Sequence, residues 1–190
     1  MKLNITLVGI GVMLGVTLAV AGTMWLARPP AWRGVVIEPP VPASNFVLTD
    51  QRGETFQLKQ QAGQVLVLYF GYTTCPDECP ATLAQFKQVK AELGRDADRV
   101  RFILITVDPE TDHPAQLAGF LEKFDVTFTG LTGTRSELAP VWDSYGVQGD
   151  KQHVSRIYAL DLQGNLRLTY AAETPAIEIA SDLRQLLRNR

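Results

Sequence analysis

The apolar positions of this chain fall into runs of three kinds. From Leu3 to Ala27 there is no charged residue and no proline, a stretch long enough to cross a bilayer as a somewhat tilted helix. Further on, Val65-Leu66-Val67-Leu68-Tyr69-Phe70 and Val100-Arg101-Phe102-Ile103-Leu104-Ile105-Thr106-Val107 are apolar at nearly every position. Unbroken runs of that length predict strands in the middle of a sheet covered on both faces. Elsewhere the apolar positions recur at helical spacing. Leu83, Phe86, Val89 and Leu93 make one stripe, and Leu117, Phe120, Leu121 and Phe124 a second. Leu138, Val141, Trp142 and Tyr145 make a third, and the segment Pro175 to Leu187 carries a fourth. Pro80 suits the opening turn of the first of these helices and Gly94 its end. A small hairpin is expected from Phe46 to Leu58, turning at Asp50 and Gly53, and a short strand near Val126–Leu131. A second hairpin, Ser155–Leu160 with Leu166–Tyr170, turns about Gln163-Gly164-Asn165. Strands alternating with helices, then a closing hairpin and helix, predict an α/β domain with a mixed central sheet flanked by helices.

Proline and charge divide the chain. Pro29, Pro30, Pro39, Pro40 and Pro42 make the stretch after Arg28 an extended, semi-rigid spacer. The expected organisation is an N-terminal transmembrane anchor at 3–27, a proline-rich linker at 28–43 and a folded domain at 44–190. A cleavable signal peptide ending near Ala19-Val20-Ala21 is the competing reading of the first segment. The apolar run continues past that point through Met24-Trp25-Leu26-Ala27, which favours an uncleaved anchor. A short head with a whole domain behind it favours export. The expected location is therefore the bacterial inner membrane, single-pass, with the domain on the periplasmic side. No Arg- and Ser-rich transit sequence precedes it. The formal net charge of −2 gives no footprint for nucleic acid.

The chain has two cysteines, and both lie in Gly71-Tyr72-Thr73-Thr74-Cys75-Pro76-Asp77-Glu78-Cys79-Pro80. This stretch stands where the first central strand gives way to a helix, the position of the cysteines in the thioredoxin-like layout. Residues i and i+4 share a helix face, so both sulfurs can point to one place. The free amides and dipole of a helix start lower thiol pKa values. Three uses remain open: a static disulfide, thiol–disulfide exchange, or a soft metal. A disulfide closing so small a loop removes little chain entropy, which disfavours the first. For a metal, a third ligand is needed, and there are two histidines. His113 follows a polar loop and precedes Pro114, and reads as a solvated residue at a helix start. His153 lies just before the strand at Ser155, where the thioredoxin-like layout brings a loop, usually with a cis-proline, against the cysteines. Two thiolates and an imidazole suit copper, Cu+ or Cu2+, better than a hard ion. Asp77 and Glu78 read as helix caps, and Asp108-Pro109-Glu110-Thr111-Asp112 as a capped helix start rather than a calcium loop.

Three segments together resemble the Sco (SenC/PrrC) family: Tyr69 through Pro80, then Val107-Asp108-Pro109-Glu110-Thr111-Asp112, then His153-Val154-Ser155 before Tyr158. The resemblance runs from about Pro42 to Leu187. It implies a membrane-tethered, thioredoxin-fold protein carrying copper on Cys75, Cys79 and His153. The implied task is assembly of the dinuclear copper (CuA) centre of cytochrome c oxidase subunit II. Further implied partners are another periplasmic copper chaperone and a thiol reductant. Some members of the family instead reduce the acceptor's cysteines, with Cys75 and Cys79 as a redox-active pair. Gln152, Glu78 and Thr74 depart from the family's commoner residues. A peroxiredoxin-type peroxidase shares the fold, but Tyr72 and Leu68 stand where its motif has threonine and proline.

Overall fold

The computed structural model describes residues 13–20, 23, 31–149 and 155–188. The chain divides into two compact units, Met1–Ala31 and Trp32–Arg190. In the first, residues 13–20 are helical, with Met13, Leu14, Val16, Leu18 and Val20 exposed. Most of the expected anchor, 3–27, lies outside the described residues. Among the described residues no helix is long and apolar enough to cross a membrane.

The second unit is built on one eight-stranded sheet. Its strands are β1 (Val35–Pro42), β2 (Val47–Asp50), β3 (Thr55–Gln57), β4 (Val65–Gly71), β5 (Val100–Thr106), β6 (Thr129–Thr132), β7 (Arg156–Leu160) and β8 (Asn165–Ala171). The order across the sheet is β1-β8-β7-β4-β5-β6-β2-β3. β4 and β5 run parallel and so do β5 and β6, whereas β7 is antiparallel to β4. Every residue of β4 is buried, as the unbroken apolar run requires of a central strand. The helices are α1 (Glu78–Leu93), α2 (Pro114–Leu121), α3 (Arg135–Ser144) and α4 (Ala176–Arg188). The expected stripes face inward: Leu83, Phe86, Val89 and Leu93 of α1 are all buried. Gly94 ends α1 with φ +57, a backbone conformation that favours glycine.

Successive residues of a strand point to opposite faces, and in β4 this assigns the two layers. Tyr69 meets Phe86 of α1 at a ring distance of 6.4 Å. Phe70 meets Tyr145, at the end of α3, and Tyr158 of β7 at 5.2 and 5.7 Å. α1 packs against α4 on the Tyr69 side. The C-terminal ends of β4, β5 and β6 therefore open at one edge of the sheet, where the loops after them gather.

The expected linker at 28–43 is extended, yet part of it is not a spacer. Val35–Pro42 pairs with β8, through Val35 to Thr169, Val36 to Leu168 and Val41 to Leu166. The register shifts between Val36 and Val41, across Pro39 and Pro40. Proline is tolerated there because an edge strand needs backbone donors on one side only. Upstream, the buried carboxylate of Asp182 in α4 accepts the backbone N–H groups of Arg33 and Gly34 at 2.9 Å each. The compact unit consequently begins at Trp32 rather than at residue 44.

Candidate metal centre

Backbone pairing first sets the frame. Gly71 is in register with Thr106, and the Val107 N–H donates to the Gly71 carbonyl at 2.9 Å. The two central strands therefore release their chains side by side. The chain after β4 turns at Tyr72, whose carbonyl accepts the Cys75 N–H at 3.3 Å. Helix α1 then begins at Glu78. Cys79 stands one turn before Leu83 on the same inner face, so it continues the stripe into the core and is fully buried. Cys75 lies in the turn before the helix, 4% exposed.

Both cysteines are free thiols. The Cys79 N–H donates to the Cys75 sulfur at 3.5 Å, and the Cys79 thiol and the N–H groups of Asp77 and Glu78 face the same atom. The unsatisfied amides of a helix start need an acceptor, and here the sulfur of Cys75 supplies it. The expected capping by Asp77 is replaced by this arrangement: Asp77 occupies the N-cap position with no side-chain capping bond. Burial alone would raise the Cys75 thiol, but these donors outweigh it and hold its pKa below the ordinary thiol value. Cys79 has the opposite balance. Burial pushes it up to about 12, with the neighbouring Cys75 adding to the rise.

The pair is thus one nucleophilic thiol and one protonated, enclosed thiol. At neutral pH, iodoacetamide should modify Cys75 well before Cys79 in the reduced protein, read by peptide mass spectrometry over a time course. Equal rates, or Cys79 first, would contradict this asymmetry.

Three neighbours outside the cysteine motif shape the site. Gly71 lies under Cys79: a Cβ there would stand 2.7 Å from the Cys79 sulfur, so only glycine lets the sulfur sit where it does. The Tyr69 hydroxyl is 3.6 Å from the same sulfur. Asp112, fully buried, accepts from Thr73 Oγ1 at 2.5 Å, from the Thr73 N–H at 3.2 Å and from Thr106 Oγ1 at 2.6 Å. The loop read as a capped helix start therefore does something else. It ties the cysteine turn to the end of β5, while His113, at the N-cap position of α2, makes no side-chain capping bond.

His113 is exposed, as expected. It lines a groove of about 480 Å³ with Glu110, Arg135 and Glu137. His153 lies outside the described residues, and among the described residues no group of three His, Cys, Asp or Glu side chains is placed to hold a metal. Glu78, between the cysteines, accepts a hydrogen bond from Ser155 Oγ at 3.0 Å, and the Ser155 carbonyl accepts the Ala172 N–H. Neither Tyr69 nor Asp112 carries a local pattern that could have announced its part. Gly71 could have been suspected from glycine ending a buried strand.

A profile of the SCO1/SenC family matches residues 37–188. An SCO2-like protein of Rickettsia conorii is 31% identical over 158 residues, which cover 76% of this chain and 75% of the relative. ScoI of Bradyrhizobium japonicum, solved with copper bound, is 35% identical with a TM-score of 0.70, over 77% of this chain and 99% of that one. Yeast Sco1 with copper bound is 25% identical with a TM-score of 0.71, over 80% and 91%. The mixed sheet flanked by helices matches these thioredoxin-like structures.

Proposed function

Because this chain belongs to the SCO1/SenC family, we propose that it carries copper on Cys75, Cys79 and His153 and delivers it during assembly of cytochrome c oxidase. The acceptor is the dinuclear copper centre of subunit II. Residues 3–27 anchor the carrier in the bacterial inner membrane with its domain on the periplasmic side. The observation that carries the reading is the meeting of two thiols at the start of α1, with Ser155 bonded to Glu78, one of the three residues between them. Ser155 follows His153 by two residues, and two residues of chain span at most about 7 Å. That short tether supports His153 as the third ligand.

The chemistry suits the cargo. Soft sulfur donors select copper over hard cations. Binding displaces the protons of both thiols, and Cys75 gives its proton up more readily than Cys79. Cys75, nearer the surface, is the ligand that an incoming acceptor thiolate displaces first, so cargo leaves by stepwise ligand exchange.

The test is copper stoichiometry and affinity of the reduced full chain. The wild type should bind one copper per chain. His153→Ala should weaken binding by at least the roughly 10–100-fold that losing an outer-shell partner costs a metal site. Unchanged affinity in His153→Ala would overturn the three-ligand site.

The asymmetry of the thiols favours a second reading, reduction of the acceptor's cysteines. The Cys75 thiolate attacks an acceptor disulfide and forms a mixed disulfide. Cys79 then displaces the acceptor sulfur, so the acceptor gains two electrons and this chain is left as the Cys75–Cys79 disulfide, to be reduced by an external thiol. That activity should survive His153→Ala and need no copper.

A further inference from the structure

Tyr69 ends its side chain beside a sulfur instead of at the protein surface. Its hydroxyl lies 3.6 Å from the Cys79 sulfur, and the Thr82 side chain, one turn further along α1, faces the same phenol. Tyr69 and Cys79 are fully buried and Thr82 is 3% exposed, so no solvent competes for these groups. A buried phenol needs a partner, and in the free protein either the phenol or the thiol can be the donor. Copper removes that ambiguity. Once Cys79 has lost its proton to bind the metal, its sulfur can only accept, and the Tyr69 hydroxyl must donate.

We propose that Tyr69 sets which copper oxidation state the carrier prefers, by donating a hydrogen bond to the metal-bound sulfur of Cys79 with Thr82 orienting the phenol. A hydrogen bond to a ligating sulfur draws electron density from it, which raises the metal's potential and favours the lower oxidation state. Low local dielectric strengthens the effect. Cu+ is then the favoured cargo. Tyr69 is a positioning and tuning residue, since it touches a ligand and not the metal. The inference rests on the copper-carrier reading.

The experiment compares full-length wild type, Tyr69→Phe and Thr82→Val. Cu+ and Cu2+ affinities are measured by competition with chromophoric chelators, and the sulfur-to-Cu2+ charge-transfer band by absorption. Tyr69→Phe removes one oxygen and keeps the ring that packs on Phe86. It should retain one copper per chain, shift the preference by about tenfold towards Cu2+, and move the band to lower energy. Thr82→Val should shift both in the same direction by less, and it carries the test should Tyr69→Phe fail to fold. Stoichiometric binding with unchanged preference and band in both variants overturns this inference alone. A wild type that binds no copper overturns the carrier reading and this inference with it.

Discussion

Gly71→Ala should destabilise the domain by about 3 kcal/mol, the upper part of the range for overpacking a core. The methyl group would stand 2.7 Å from the Cys79 sulfur, 2.8 Å from Tyr69 Cε1 and 3.3 Å from Leu104 Cδ1. None of these atoms can give way easily. Tyr69 and Leu104 belong to the two central strands, and Cys79 is fixed in the first turn of α1; all three are at most 1% exposed. The backbone at Gly71 is ordinary strand, so the whole cost is steric. Relief requires moving the start of α1 away from β4, which displaces the sulfur of Cys79, a proposed copper ligand, as well. Urea unfolding should show a lowered midpoint with an unchanged slope, and copper affinity should fall with it. A midpoint within experimental error of the wild type would mean that the sulfur does not lie over Gly71.

Asp112→Ala should have an effect of similar size, about 3 kcal/mol, for a polar reason. It leaves the Thr73 N–H and the hydroxyls of Thr73 and Thr106 without their common acceptor in a buried place, and each orphaned group costs about 1–3 kcal/mol. Removing a buried carboxylate offsets part of that. Asp112→Asn should cost much less. Its oxygen still accepts both donors of Thr73, and its NH2 donates to Thr106 Oγ1, which already accepts the Asp108 N–H, so the Thr106 hydroxyl proton alone loses its acceptor. In the Ala variant, freed of its tie to β5, the cysteine turn should open, and Cys75 alkylation should accelerate. An unchanged rate would mean that Asp112 does not hold the turn.

The acid also leaves a signature in pH. Burial raises the Asp112 pKa above its ordinary value, more than the hydrogen bonds from Thr106 and Thr73 lower it, and the nearby Asp108 adds to the rise. The native state therefore holds this proton more tightly than the unfolded chain. That contribution to stability is fully present below the unfolded pKa and is lost as pH rises through the folded one. Asp50 and Asp125 are shifted the other way, so their contributions are lost as pH falls. The stability difference between wild type and Asp112→Asn isolates Asp112. It should move against the wild type as pH increases across the acid range, and a difference that is flat with pH would contradict the assignment.

Much of the architecture was legible in local patterns. The unbroken run at Val65–Phe70 announced the central strand, and the stripe from Leu83 to Leu93 announced the helix behind it. Proline misled in one place. A stretch with Pro39, Pro40 and Pro42 reads as a spacer, because composition does not reveal that only one side of an edge strand must donate. Glu78 read as a cap because acidic residues favour helix starts, yet its carboxylate serves Ser155 and the helix amides turn to a sulfur.

Residue order along the chain is enough to define the chemistry available: two thiols four residues apart at a strand-to-helix junction, and a short choice of histidines to complete a soft-metal site. Periodicity and spacing are properties of neighbours along the chain, so they survive in one dimension. Tertiary structure decided how unequal the two thiols are, and what surrounds them. The register that sets Gly71 beside Thr106 brings Thr73 to Asp112, and the face of β4 that packs on α1 brings the Tyr69 hydroxyl to Cys79. Those contacts depend on how strands pair and on which side a helix lands. Both are settled by burying the whole apolar surface at once, and no single segment carries the information.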